Sequence, residues 1–269
     1  MSGKIIGVIS IKGGVGKTTV VSNLAAALAG QGKKVLAIDA NFSAPNLGLH
    51  VGIVNKENTI HEVIAGKIDA SEAVYQSDAG FDIMPARLLP IRIDPLRLKR
   101  KISPLKNMYD FILIDSSPNL NEEMAATMAA ADELIVVSSP DYPTLSCTMR
   151  AVKVAKEKKV PIAGLVLNRV RNKKYELTLA DVEDAAQTPV IGLMPEEEKV
   201  LESVAETKPV VIHAPWKDVS VEYKKLAAAL AGKKYKDMRL WSNVRNFLLE
   251  NNFSKVDINR TVMTEKAKK

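Results

Sequence analysis

Apolar residues along this chain follow two alternating rhythms. Short runs rich in Val and Ile, most of them uninterrupted, occupy 4–11, 34–39, 81–84, 110–115, 133–138, 162–168, 190–194 and 209–212. Runs of that length predict parallel strands buried on both faces. Between them, apolar positions recur at helical spacing over 17–30, 60–75, 96–107, 121–131, 144–159, 178–187, 196–206 and 218–231. Strand alternating with helix predicts right-handed crossovers and a doubly wound α/β fold. Its sheet is mostly parallel, with helices on both faces in three layers, and ligands bind at the carboxyl ends of the strands.

The rhythm ends near Gly232, which divides the chain into a domain over 1–232 and an extension over 233–269. Projected at helical period, about 237–253 places Leu240, Trp241, Val244, Phe247 and Leu248 on one side, with Arg239, Ser242, Asn243, Asn246 and Glu250 opposite. That is the pattern of an amphipathic helix. With 46% apolar residues over 269 positions, the chain has material for a substantial core.

Charge sharpens this division. Of the net +7, residues 233–269 carry +6, with ten Lys/Arg against four Asp/Glu, so the basic balance describes the extension rather than the domain. A second basic cluster, Arg92, Arg97, Lys99, Arg100, Lys101 and Lys106 against Asp94, reads equally as a solvated helical face or a contact for an anionic partner. The single cysteine, Cys147, excludes a disulfide framework or a thiolate metal cluster within one chain and fits a reduced, cytoplasmic setting. No signal peptide opens the chain and no apolar stretch approaches the roughly 18–20 residues of a membrane span.

The chemistry is concentrated after the first predicted strand, in Ile9-Ser-Ile-Lys-Gly-Gly-Val-Gly-Lys-Thr-Thr19. Gly13, Gly14 and Gly16 let the backbone turn its N–H groups onto phosphate oxygens. Lys17 adds positive charge, and the Thr18 hydroxyl can ligate Mg²⁺. Strand, glycine-rich loop and helix come in the order a nucleoside triphosphate site requires. The first glycine of the usual G-x-x-x-x-G-K-[ST] pattern is replaced by Ile11, and Lys12 is an additional lysine.

Lys12-Gly-Gly-Val-Gly-Lys17-Thr-Thr19 resembles the deviant Walker A motif of the MinD/ParA ATPases. Asp39-Ala-Asn-Phe-Ser-Ala-Pro-Asn-Leu-Gly48 resembles their first switch and Phe111-Ile-Leu-Ile-Asp115-Ser-Ser-Pro118 their second. Leu165-Val-Leu-Asn168-Arg169-Val and Val190-Ile-Gly-Leu-Met-Pro195-Glu196 are similar to segments that hold adenine, and Val200 to Val211 to the closing helix and strand. The resemblance runs from residue 1 to about 232. Asn46-Leu-Gly48 and the Pro195-Glu-Glu-Glu198 run through Lys208-Pro-Val-Val211 lean toward the MinD branch.

The resemblance implies a P-loop ATPase using ATP, ADP and Mg²⁺. Gly13, Gly14, Val15, Gly16, Lys17, Thr18 and Thr19 would cradle phosphates, and Asn168, Arg169, Pro195 and Glu196 would border the base. Thr18, Asp39 and Asp115 would hold the metal or its waters. Lys12 would reach across a face-to-face homodimer to the partner's nucleotide, joining Lys17, Asp39 and Asn41 as catalytic groups. The family commonly carries a second carboxylate where Asn41 stands. An amide can orient water but not take its proton, so slow hydrolysis and a long-lived ATP state are expected.

The leading functional expectation is therefore a cytoplasmic ATP-switched ATPase that dimerises with ATP and positions a protein cargo, activator or division-site component. A ParA-type partition ATPase binding DNA non-specifically through Arg97 to Lys101 is an alternative, as is a nucleotide-binding scaffold with little turnover. The extension is expected either to bind an anionic membrane surface peripherally, at the inner face of the cell membrane, or to dock on its own domain or a partner. Iron–sulfur relatives need a cysteine pair that this chain lacks.

Overall fold

A computed structural model describes residues 2–88, 93–237, 239 and 252–267. Eight strands form one sheet: β1 (Lys4–Ile9), β2 (Val35–Ala40), β3 (Tyr75–Gln76), β4 (Asp82–Met84), β5 (Phe111–Ser116), β6 (Glu133–Ser138), β7 (Ile162–Val170) and β8 (Val190–Pro195). Their order is β3-β4-β2-β5-β1-β6-β7-β8. Every pair is parallel except β3 with β4. Ten helices are described: α1 (Lys17–Ala29), α2 (Ile60–Ala65), α3 (Leu98–Ile102), α4 (Glu122–Ala130), α5 (Tyr142–Glu157), α6 (Leu179–Ala186), α7 (Glu198–Ala205), α8 (Val210–His213), α9 (Asp218–Leu230) and α10 (Asn252–Lys266).

β2 and β5 are buried at every position, as strands covered on both faces must be. One core layer joins β1, β2 and β5 to α1 and α9 through Val8, Leu113, Leu24, Leu28 and Leu226. On the opposite face, Ile38, Ile112 and Ile114 pack with Ile60, Ile64, Leu98 and Ala126 of α2, α3 and α4. Leu134, Val136 and Leu165 meet Met128 of α4, Val152 of α5 and Val182 of α6. This is the predicted doubly wound, three-layer arrangement with a helical extension. It sets the carboxyl ends of β1, β2 and β5 side by side.

The elements depart from their predicted limits in three places. The helix expected over 60–75 stops at Ala65, where Gly66 turns left-handed (φ 79°), and the segment ends in the short strand β3. The helix expected over 96–107 is α3 alone, with a 3-10 turn on each side. Its second turn begins at Ser103 with Pro104 in the first positions, and a proline nitrogen cannot donate within a continuing α-helix. The strand expected over 209–212 is the short helix α8, started after Pro209 and tied down by Asn23 Oδ1, which accepts from Val211 N at 3.1 Å.

Among the described residues β8 ends the sheet, and α10 packs beside it. Asn259 Nδ2 donates to Val190 O at 2.8 Å and Arg260 Nε to Ile191 O at 2.8 Å, so side-chain donors take up edge-strand carbonyls. Val256 is fully buried against the α5 and α6 layer. Arg260 is 5% exposed and pairs with Glu222 of α9 at 2.6 Å. The amphipathic helix expected over about 237–253 falls almost wholly outside the described residues. Among the described helices none is long and apolar enough to cross a membrane.

Candidate nucleotide site

The loop between β1 and α1 needs its glycines for distinct reasons. Gly14 and Gly16 are left-handed, at φ 78° and 87°, a region that strains any side chain. At Gly16 there is also no room, since a Cβ would lie 2.2 Å from Asn168 Nδ2. Around Gly13 and Gly14, by contrast, an added Cβ meets nothing within 4 Å, so the loop's crest is open to a ligand. Gly16 caps α1 without a side-chain acceptor, leaving the helix's first N–H groups pointed at the same space.

Three charged groups converge beneath that turn. Asp39 and Asp115 end neighbouring strands, are register partners across the β2–β5 pair, and are fully buried. Lys17 is 8% exposed, with Nζ 3.3 Å from Asp115 Oδ1. Burial, then the nearby charge of Asp115, pushes Asp39 well above the usual carboxylate range, against three backbone donors that pull it down. Those donors are Asn41 N at 3.1 Å, Asn46 N at 3.0 Å and Leu47 N at 2.9 Å, so Asp39 gathers the loop after β2 onto its own strand end. Asp115 Oδ2 is buried with no hydrogen-bond partner among the described residues.

Asn41 is 5% exposed, and its side-chain amide donates to Ala44 O within the same loop. After β5, Ser117 Oγ donates to Asn121 Oδ1 at 2.8 Å, and Asn121 caps α4 by accepting from Met124 N at 2.9 Å. Asn119, left-handed at φ 72°, donates its N–H to Ile11 O at 3.2 Å and so ties this loop to the glycine-rich one. The loop after β5 is thus bonded to the phosphate loop, while the loop after β2 is tied by Ser43 to Glu123 in the first turn of α4.

Lys12 is not loose on the surface. Its ammonium donates to Thr144 Oγ1 at 2.7 Å and to Asp141 Oδ1 at 3.3 Å. Asp141 is the N-cap of α5. Partial burial raises its pKa, but hydrogen bonds from Ser139, Thr144 and Lys12 outweigh that and hold it below the usual carboxylate range. Sequence reasoning missed both partners of Lys12. Asp141-x-x-Thr144 is legible as a helix start, whereas its pairing with a lysine 129 residues earlier belongs to the β1–β6 neighbourhood.

The expected base-binding residues separate into two groups. Asn168, 8% exposed, donates its amide to Val15 O at 2.7 Å and braces the loop from behind. Pro195 ends β8, and Glu196 is exposed, its carboxylate held by Arg171 and its N–H donating to Val170 O at 3.0 Å. Arg169 lies instead in a cleft of about 390 Å³ on the outer side of the loop, with Lys12, Gly13 and Gly14. Thr18 and Thr19, on the first turn of α1, are half-buried.

The residues present fit a magnesium-bound nucleotide. A buried carboxylate oxygen lacks a partner beside a lysine with protons to spare, and the backbone above it is bare of side chains. Hard cations take such oxygens, and phosphates take such amides.

A family model described as "AAA domain" matches residues 3–160, and one described as "4Fe-4S iron sulfur cluster binding proteins, NifH/frxC family" matches 108–251. An uncharacterized ATP-binding protein of Methanocaldococcus jannaschii is 34% identical over 233 residues, covering 86% of this chain and 88% of the relative. The septum site-determining protein MinD of Pyrococcus horikoshii, solved with Mg-ADP, superposes with a TM-score of 0.80 at 33% identity, over 84% of this chain and 94% of that one. A MinC:MinD cell division complex of Aquifex aeolicus gives 0.79 at 27%, over 88% and 99%. With the glycine-rich loop, its extra lysine and the paired strand-end carboxylates all in place, the chain belongs to the MinD/ParA family of deviant Walker A P-loop ATPases.

Proposed function

We propose that this chain is an ATP-switched ATPase of the MinD type. It binds Mg-ATP on the loop between β1 and α1, pairs with a second copy in that state, and positions a protein partner until slow hydrolysis resets it. The observation that carries the reading is the convergence of Lys17, Asp39 and Asp115 under the uncapped first turn of α1. The Mg-ADP complex of the Pyrococcus relative supports the cofactor, and the MinC:MinD complex supports a protein partner.

Bound Mg-ATP supplies the anhydride to be cleaved and the metal's charge. The chain's own residues hold and orient. Lys17 and the amides from Gly13 to Thr19 would hold the phosphate oxygens, and Thr18, Asp39 and Asp115 would hold the metal or its waters. Asn168, with Pro195 and Glu196, borders the base, and Lys12 brings positive charge to the partner's nucleotide. Charge placement of this kind carries most of phosphoryl-transfer catalysis. Slow turnover follows from Asn41, which offers no base and whose amide is engaged with Ala44. The protein works from the cytoplasm, and any membrane contact is peripheral.

Size-exclusion chromatography with ATP and with ADP, paired with phosphate release, tests the reading. The wild type dimerises with ATP alone, and Lys17→Ala loses tight ATP binding. Repeating the assay with acidic vesicles and with duplex DNA discriminates the partner surface. Salt-sensitive DNA binding without lipid or protein capture would replace this reading with a partition ATPase.

A further inference from the structure

β7 is not a regular strand at its carboxyl end. Its register with β8 slips between Asn168 and Val170, and the residue at the slip, Arg169, is left-handed at φ 58°. A non-glycine residue held there is strained, and a bulge beside a site re-aims a side chain. Here it divides two neighbours. Asn168 is buried against Val15, behind the phosphate loop, while Arg169 is exposed and lines the outer cleft with Lys12, Gly13 and Gly14.

The cleft's other charges are largely committed. Lys12 is held by Asp141, and Arg171 by the carboxylate of Glu196. Glu176 accepts the N–H groups of Arg171 and Lys173 at 3.1 Å each. Arg169 makes no hydrogen bond or ion pair among the described residues, although its charge is felt at Glu196. Arg169 lines this cleft together with Lys12, Gly13 and Gly14, whereas Lys17, paired with Asp115, does not line it. At about 390 Å³ the cleft has the dimensions of a ligand pocket.

We propose that Arg169 is a second cross-subunit cation: in the ATP dimer it meets, beside Lys12, the phosphate groups of the nucleotide held by the partner copy. The inference rests on the dimer reading above. A guanidinium presents paired donors to phosphate where lysine gives a point charge, so the two are complementary in one cleft. The backbone strain is the cost of turning Arg169 out of the base site.

The test uses the full chain as wild type, Arg169→Gly and Arg169→Lys. Glycine suits φ 58° and removes the side chain without threatening the fold, as a thermal melt verifies. ADP affinity is read by calorimetry, and dimerisation with a non-hydrolysable ATP analogue by sedimentation. Arg169→Gly is expected to weaken the dimer about tenfold or more, the loss of one charge-assisted contact, while ADP affinity changes much less. Arg169→Lys recovers part of the dimer. A variant that dimerises as the wild type does overturns the inference and leaves the dimer reading intact. An ADP affinity that falls as far as dimerisation returns Arg169 to its own nucleotide and also overturns it. A wild type that stays monomeric with the analogue overturns both.

Discussion

Asn168 donates its side-chain amide to the carbonyl of Val15 at 2.7 Å, and its nitrogen stands where a Cβ on Gly16 would have to go. The brace and the glycine are therefore one device: the loop keeps its left-handed turn because Asn168 fills the space behind it. Gly16→Ala is expected to abolish nucleotide binding, because a 2.2 Å approach and a φ of 87° both oppose it. Asn168→Ala leaves Val15 O without its partner, at roughly 1–3 kcal/mol, and loosens the loop. Equal ADP affinity for wild type and Asn168→Ala in a calorimetric titration would remove the bracing role.

Lys12→Ala should leave ADP affinity nearly intact and weaken ATP-dependent dimerisation. Its ammonium is held by Asp141 and Thr144, away from Lys17 and Asp115, so removing it disturbs the outer cleft first. Sedimentation with ATP decides this: a mutant that dimerises as readily as the parent excludes the cross-subunit role.

Asn41→Asp is expected to change two measurements in opposite directions. A carboxylate can take the proton of the attacking water, an effect typically worth about a hundredfold or more, so single-turnover phosphate release should accelerate. The same change deletes the donor to Ala44 O and sets a negative charge against that carbonyl, so the melting temperature should drop. A rate that stays level or falls would mean another group orients the water.

The pair Arg260–Glu222 gives a pH signature unrelated to the nucleotide. Burial pushes Glu222 up, but Arg260 and Lys225 outweigh it, and the carboxyl titrates below its ordinary 4.5. Its contribution to stability is complete above that ordinary value and is lost as pH falls through the lower folded one. Arg260→Ala leaves Glu222 buried with Lys225 as its remaining partner, at 2.9 Å, and should destabilise by about 3 kcal/mol. Thermal melts between pH 3 and 7, an interval spanning ordinary carboxylate values, are expected to show a smaller acid-side loss for the variant than for the wild type. Equal acid-side losses would place the pair outside the stability balance.

Much of this architecture was legible because parallel strands write themselves as unbroken apolar runs, and because Gly13 to Thr19 combines residue types whose geometry has few other uses. Asp39 and Asp115 were legible as strand-end carboxylates. Their register pairing and the orphaned oxygen of Asp115 depend on strand order, which residue spacing does not carry. The Val210–His213 segment misled because three β-branched residues in a row suit a strand, whereas here they form a helical turn after Pro209 that packs against α1 and α9. The setting of Arg169 was not legible for a different reason: the register slip beside it and its left-handed backbone leave no mark in composition.

The border at β8 reaches beyond stability. Its outermost carbonyls at Val190 and Ile191 are occupied by side chains of α10, and the opposite border is β3, only two residues long. Among the described residues, a strand from another molecule would find those two carbonyls of β8 already taken and, at the other border, only the short β3 to pair with. The extension that covers part of one flank thus also guards that border against edge-to-edge pairing.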